Sequence, residues 1–239
     1  MNNDSAFNLL HPDVRRVVHA QGWTSLRPVQ VQAIHAYFRT NDDLLLTAPT
    51  AGGKTEAWAL PGLSALIEDP QASIQILCIS PLKALINDQF GRLSALAKPL
   101  GIPVQGWHGD VDAHRKQAVR KLPRGVLIIT PESLEASLMN RAGEIPKLFR
   151  HLKLVVLDEI HALLDEERGI HLQCLLSRLG HLIDHRPRQI GLSATIGDVR
   201  VAQQFLNLDH PDTVQVIRQD DDGRELQLKI SAYLHEPEK

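Results

Sequence analysis

The chain has 239 residues, 43% of them hydrophobic, which suits one large α/β domain, or a domain of about 200 residues with an extension. No apolar run reaches the roughly 18 residues of a membrane span, and the opening MNNDSAFNLLHPD lacks the basic-then-apolar pattern of a secretory leader, so the expectation is a soluble, cytoplasmic protein with no membrane partner. A formal net charge of −2 excludes a generally basic nucleic-acid binder, and any nucleic acid must be held by a local site.

In chain order, residues 28–39 carry a helical apolar pattern, and Leu44–Thr47 follows as a short apolar strand. The next stretch, TAPTAGGKTEAWAL at 47–60, joins that strand to a helix over 54–67. Gly52 and Gly53 let the backbone turn tightly and approach phosphate without a Cβ clash. Successive N–H groups, from Ala51 onward, then form an anion nest at a helix N-terminus. Lys54 would reach the β- and γ-phosphates of a nucleotide, and the Thr55 hydroxyl would bind Mg²⁺.

Ile74–Ser80 is a second strand and includes Cys78, a small buried hydrophobe. The helix predicted over 83–98 has Leu85, Ile86, Phe90, Leu93, Leu96 and Ala97 as its buried face. Val104–Trp107 and Val126–Thr130 are strands, with a helix over 132–139 after the second. Ser80 and Thr130 are natural N-caps, and Pro81 and Pro131 suit the first helical position. Each helix start offers N–H groups and a positive dipole end to an anion, so two side by side can hold successive phosphates with few lysines. Capping alone would also account for Thr130 and Ser133.

Leu154–Asp158 is the next strand, and it ends in paired acids. Asp158 is placed to hold Mg²⁺ and Glu159 to orient and deprotonate an attacking water, the simpler reading being an ordinary helix cap. Arg168 could touch nucleic acid or pair with Asp165. A helix over 170–183 contains Cys174. His181 and His185 have the i, i+4 spacing of metal ligands, but with no third ligand apparent and Pro187 following, a solvated helix end is the expectation. Neither cysteine has a CxxC partner, so a disulfide or zinc site is not expected. Gln189–Ser193 is a strand, and 198–206 a helix. After residue 208 the composition turns polar, and Val214–Ile217 and Glu225–Leu234 could pair as strands in a segment leaving the domain. Apolar strands alternating with helices imply a parallel sheet covered on both faces, with ligands at the carboxyl ends of the strands.

Asp158-Glu159-Ile160-His161 resembles the DExH box of superfamily-two DEAD/DEAH-box helicases, and other stretches match in order. Arg27-Pro28-Val29-Gln30 looks like the Q-motif region, which implies Gln30, with Arg27, as adenine-binding. SPLKAL, with Ser80, Pro81 and Lys83, looks like motif Ia. His108-Gly109-Asp110 resembles the GD element, and Thr130-Pro131-Glu132-Ser133 resembles motif Ib. Ser193-Ala194-Thr195 looks like motif III, which couples nucleotide state to nucleic-acid grip. The P-loop opens on Ala48 rather than Gly, as is common in helicases. The wording is most similar to the Lhr-type (large helicase-related) group, over residues 22 to 218.

The resemblance implies a RecA-like P-loop NTPase domain over residues 1–208, the first of two, and an exit segment over 209–239 towards a second RecA-like domain in the same or a partner chain. It implies an ATP- and Mg²⁺-dependent helicase or translocase on single-stranded nucleic acid, DNA in preference to RNA, with Lys54, Asp158, Glu159 and His161 as its catalytic set. Arginines facing the γ-phosphate would come from the second domain, so this chain alone should be weakly active. A nucleotide-gated adaptor with negligible hydrolysis is the rival reading, which intact Lys54, Asp158 and Glu159 disfavour. A P-loop transporter ATPase is a third, disfavoured by SPLK, TPES and SAT.

Overall fold

Most of the six predicted strands are short and apolar, and a strand of that kind is stable only with both faces covered. In the computed structural model, which describes residues 2–49, 52–81, 83–164, 166–195 and 197–219, all six lie in one parallel sheet, and a seventh strand joins them. The chain begins with helices α1 (Asn3–Leu9), α2 (Pro12–Ala20) and α3 (Pro28–Arg39). It then alternates: β1 (Leu44–Thr47), α4 (Lys54–Glu68), β2 (Ile74–Ile79), α5 (Lys83–Ala97), β3 (Val104–Trp107), α6 (Ala113–Lys121) and β4 (Gly125–Ile129). After α7 (Pro131–Asn140) and α8 (Ile145–Phe149) come β5 (Leu154–Leu157), α9 (Glu167–Ile183), β6 (Arg188–Ser193), α10 (Val199–Leu206) and β7 (Gln215–Arg218).

The strand order is β3-β4-β2-β5-β6-β1-β7. Side chains alternate across the sheet. Leu44, Leu46, Ile76, Cys78, Val156 and Ile190 join one core with α1 to α5. Leu45, Leu77, Ile79, Val155 and Leu157 join the other with α7 to α10. Each such residue, fully buried, contributes about 1.5–3 kcal/mol.

The structure departs from the sequence expectation at several places. Helices α1, α2, α6 and α8 were not foreseen; α6 buries only Val119, so it shows no apolar stripe. On α5, Ile86, Leu93, Leu96 and Ala97 are buried as expected, but Phe90 is 40% exposed and Gln89 takes a place on the inner face at 7%. Residues 215–218 do not leave the domain: β7 pairs in parallel with β1, Leu44 opposite Gln215 and Thr47 opposite Arg218. A turn-rich sequence cannot show that pairing, because the partner strand lies at the other end of the domain. The expected pairing with Glu225–Leu234 lies outside the described residues.

One polar network braces the amino end of the sheet. Asp43, 2% exposed, accepts hydrogen bonds from the Arg186 guanidinium, the Asn207 amide and the Gln189 N–H. It ties the start of β1 to the start of β6 and the end of α10. Among the described residues no helix is long and apolar enough to cross a membrane.

Candidate functional site

The sheet's register brings the motifs to one edge. Thr47 lies opposite Ser193, Ile79 opposite both Leu157 and Ile129, and Ile129 opposite Trp107. Reading across the carboxyl ends of the strands therefore gives His108, Thr130, Ser80, Asp158, Ser193 and Ala48 in that spatial order. The edge has two halves. β5, β6 and β1 carry the acids, the SAT triplet and the P-loop. β3, β4 and β2 are followed by the His108, Thr130 and Ser80 segments.

In the first half, Gly53 sits at φ +89 as the N-cap of α4, and a Cβ there would come within 2.6 Å of the Gln30 amide nitrogen. A Cβ on Gly52 would come within 2.7 Å of the Pro49 carbonyl oxygen. Only glycine fits either position. Lys54 is buried, and its Nζ donates to the carbonyls of Ala48 at 2.6 Å and Pro49 at 3.3 Å. Burial lowers its pKa, while Glu159 and Asp158 oppose that shift. Thr55 is likewise buried at the same helix start. Ala51 lies outside the described residues.

Gln30 is 2% exposed. Its Oε1 accepts from the Arg27 N–H at 2.9 Å, and its Nε2 donates to the Gly53 carbonyl at 3.4 Å. The side chain thus ties the region before α3 to the P-loop. Beside it opens a cavity of about 330 Å³ lined by Trp23, Arg27, Gln30, Gly53, Glu56 and Arg92. Glu56 and Arg92 pair at 2.7 Å across α4 and α5, which the sequence did not single out.

Asp158 and Glu159 leave β5 side by side. Burial, and after it the neighbouring Glu159 charge, push the Asp158 carboxyl up to about 6. The Gln89 amide donates to Asp158 Oδ2, and Gln89 Oε1 faces Cys78 Sγ at 3.4 Å. Gln89 escaped the sequence reading, although a glutamine at i+3 from Ile86 and four before Leu93 falls on the apolar face. Glu159 adopts φ 47, a left-handed conformation that costs a non-glycine residue about 1–3 kcal/mol and persists where surroundings enforce it. Its Oε2 is buried without a hydrogen-bond partner among the described residues, 3.2 Å from His161 Nδ1. The same Nδ1 lies 3.2 Å from Ser193 Oγ, and that hydroxyl donates to the Thr195 carbonyl. His161, Glu159 and the SAT triplet, with Ala194 half-exposed between Ser193 and Thr195, are thus in mutual reach.

The Asp158 shift has a measurable consequence. A carboxyl whose pKa is raised on folding contributes stability that is fully present below its unfolded value of 3.8 and lost as pH rises through about 6. At pH 7 the buried charge therefore destabilises the fold, by up to about 3 kcal/mol from the size of the shift. Asp158→Asn should raise the stability of the protein without nucleotide or divalent cation at pH 7.5, and the gain should shrink between pH 6 and 4. Urea unfolding of both proteins across that range checks this. An equal or lower midpoint for the variant at pH 7.5 would contradict it.

In the second half, Thr130 caps α7, its Oγ1 accepting from the Ser133 N–H at 3.3 Å and facing Ser133 Oγ at 3.2 Å. Pro131 takes the first helical position. Ser80 is fully buried, its N–H donating to the Ile129 carbonyl, and its Oγ has no partner among the described residues. His108 Nδ1 lies 3.8 Å from Asp110 Oδ2, with Gly109 exposed between them. α5 begins only at Lys83, so Ser80 and Pro81 do not take the N-cap and first helical positions expected of them; the Lys83 side chain lies outside the described residues. Arg168 does not serve as a free cation here: it binds Glu132 Oε1 and the Pro81 carbonyl. Asp165, one of the two partners the sequence allowed, is outside the described residues.

Elsewhere, Cys78 is buried and Cys174 exposed. His185 Nε2 lies 2.8 Å from the Leu152 carbonyl just past α9, and so is tied to the fold. Among the described residues no three His, Cys, Asp or Glu side chains cluster to hold a metal ion.

A family model described as DEAD/DEAH box helicase matches residues 27–203. The Lhr helicase/probable uracil glycosylase of Mycolicibacterium smegmatis is 34% identical over 202 residues, covering 78% of this chain and 13% of that protein. The ATP-dependent helicase Lhr-Core of Saccharolobus solfataricus is 32% identical over 222 residues, covering 86% of this chain and 25% of that protein. The chain thus spans a quarter or less of these relatives' lengths. The structure of Mycobacterium smegmatis helicase Lhr bound to ssDNA and AMP-PNP matches with a TM-score of 0.76 at 31% identity, covering 89% of this chain and 28% of that one. The DEAD-box helicase Mss116 bound to ssRNA and UDP-BeF has a TM-score of 0.77 at 21% identity, covering 90% and 44%, a likeness of fold.

Proposed function

Because the chain belongs to the DEAD/DEAH box helicase family, we propose that it is the first RecA-like domain of an ATP-dependent helicase or translocase of the Lhr type, working on single-stranded nucleic acid in the cytoplasm. The observation that carries this reading is the two-part carboxyl edge. One half presents the P-loop and paired acids, the other the segments that begin at Ser80, His108 and Thr130, and both hang on one sheet, which supports a nucleotide and a phosphate backbone held side by side.

The residues fit a nucleotide with its cation. Gly52 and Gly53 leave a cradle that a Cβ would fill. Lys54 supplies a point charge for the β- and γ-phosphates, and Gln30 and Arg27 stand beside the cavity suited to adenine. Thr55 and Asp158 offer hard oxygen donors. Mg²⁺, when bound, neutralises charge developing on the phosphates and needs few protein ligands. Glu159 accepts the proton of the attacking water at its carboxylate, beside His161. His161 and Ser193–Thr195 pass the state of that site towards the other half of the edge. A second RecA-like domain supplies the arginines that face the γ-phosphate. Preference for DNA over RNA rests on likeness to the Lhr relative, whose solved structure holds ssDNA.

Phosphate contacts position a strand without reading its sequence. Fluorescence anisotropy with several labelled single strands across a salt series should therefore give nearly equal affinities. Log affinity should fall with log salt by about 0.7 per phosphate contacted, and matched DNA and RNA strands give the sugar preference. No binding, or strong preference for one base sequence, would overturn the helicase reading.

A further inference from the structure

Arg168 stands in the first turn of α9, seven residues after His161 closes the DEIH box, and reaches away from its own helix. Its Nε and Nη2 both donate to Glu132 Oε1, at 3.1 and 2.6 Å, and Nη2 also donates to the Pro81 carbonyl at 2.7 Å. Pro81 follows β2, and Glu132 lies in the first turn of α7, which follows β4. One guanidinium thus joins the two turns that the proposed function assigns to successive phosphates.

Its own anchorage is tight. A Cβ on the next residue, Gly169, would lie 1.9 Å from the Leu163 carbonyl oxygen, so only glycine lets α9 start against the turn that follows the DEIH box. We propose that Arg168 is a positioning residue that clamps the Pro81 and Thr130–Ser133 turns at a fixed spacing, and so sets the grip on a single strand without touching it. This rests on the proposed function.

Two physical points support a clamp over a direct phosphate contact. Arg168 already spends its Nε and Nη2 donors on protein oxygens. Glu132 would also repel a phosphate track if it were unpaired, and Arg168 cancels that charge. Although burial pushes the Glu132 carboxyl up, its own backbone N–H and Arg168 hold it below the usual range, so it stays ionised and paired. The pair is too exposed, at 39% and 61%, to matter much for stability. Its value lies in geometry, since planar guanidinium donors fix direction where an ammonium would not.

The test uses Arg168→Gln in the full chain, with two independent readouts. The first is hydrogen exchange of the backbone amides at 132–134, without nucleic acid. Exchange there should speed up in the variant, and unchanged exchange overturns the clamp whatever happens to strand binding. The second is affinity for a labelled oligothymidine across a salt series. Affinity should fall about tenfold, the scale of one lost charge-assisted hydrogen bond, with the salt slope unchanged and ATP affinity intact. A slope flattened by about 0.7 would instead mark Arg168 as a phosphate contact and overturn the proposal. Arg168→Lys, which keeps the charge but loses the fork, should restore little of the affinity, and full restoration would also overturn it. If the unaltered chain binds no strand, the helicase reading falls, while the exchange measurement still decides the clamp.

Discussion

Glu159→Gln should leave ATP binding intact and slow hydrolysis by about 10²–10⁴-fold, the usual worth of a positioned general base. The substitution keeps size and shape and removes only the ability to accept a proton. The structure makes the prediction specific. Glu159 is held at φ 47, and its Oε2 is buried with no hydrogen-bond partner among the described residues. Among the described residues only the His161 ring, 3.2 Å away, faces that buried oxygen, which leaves the carboxylate able to accept a proton. Steady-state turnover of the full-length protein, with nucleic acid saturating, measures the effect. Nucleotide affinity measured in parallel separates lost chemistry from lost binding. Hydrolysis within a factor of a few of the unaltered rate would show that Glu159 is not the base.

Lys54→Ala should weaken MgATP binding by about 10²-fold, because it removes the one point charge aimed at the β- and γ-phosphates. Lys54 is buried, with its ammonium satisfied by the Ala48 and Pro49 carbonyls. Its desolvated charge is balanced in part by Asp158 and Glu159. Removing it leaves two acids without their nearest cation, so thermal unfolding should be recorded beside calorimetry. A folded variant with unchanged affinity would remove the P-loop assignment.

Much of this architecture is legible in the sequence because the physics is local. Leu44–Leu46, Ile76–Ile79 and Leu154–Leu157 are apolar at consecutive positions, as a parallel strand covered on both faces requires. The P-loop and the paired acids are legible because glycine pairs and strand-end carboxylates have few other uses. What the sequence hides depends on distant partners. Helix α6 rests mostly on solvent, so it carries no stripe. β7 is a strand in composition, but its place beside β1 is decided by pairing across the whole domain. Gln89 looks like an ordinary helical polar residue, and Arg168 lacks its actual partners, until Asp158, Pro81 and Glu132 are brought beside them.

The place of β1 in the sheet also bears on how the domain is born. Its two neighbours are β6 and β7, pairing Leu44 with Ile190 and with Gln215. On a ribosome the P-loop strand emerges early and then waits, since neither neighbour exists until most of the domain has been made. β2, by contrast, can pair with β4 and β5 sooner. Non-local parallel pairing of this kind is intrinsically slow and leaves apolar strand edges open meanwhile. The half of the sheet built on β2, β4 and β3, proposed to grip a strand, can therefore assemble first during synthesis, and the half built on β1, proposed to bind nucleotide, is closed last.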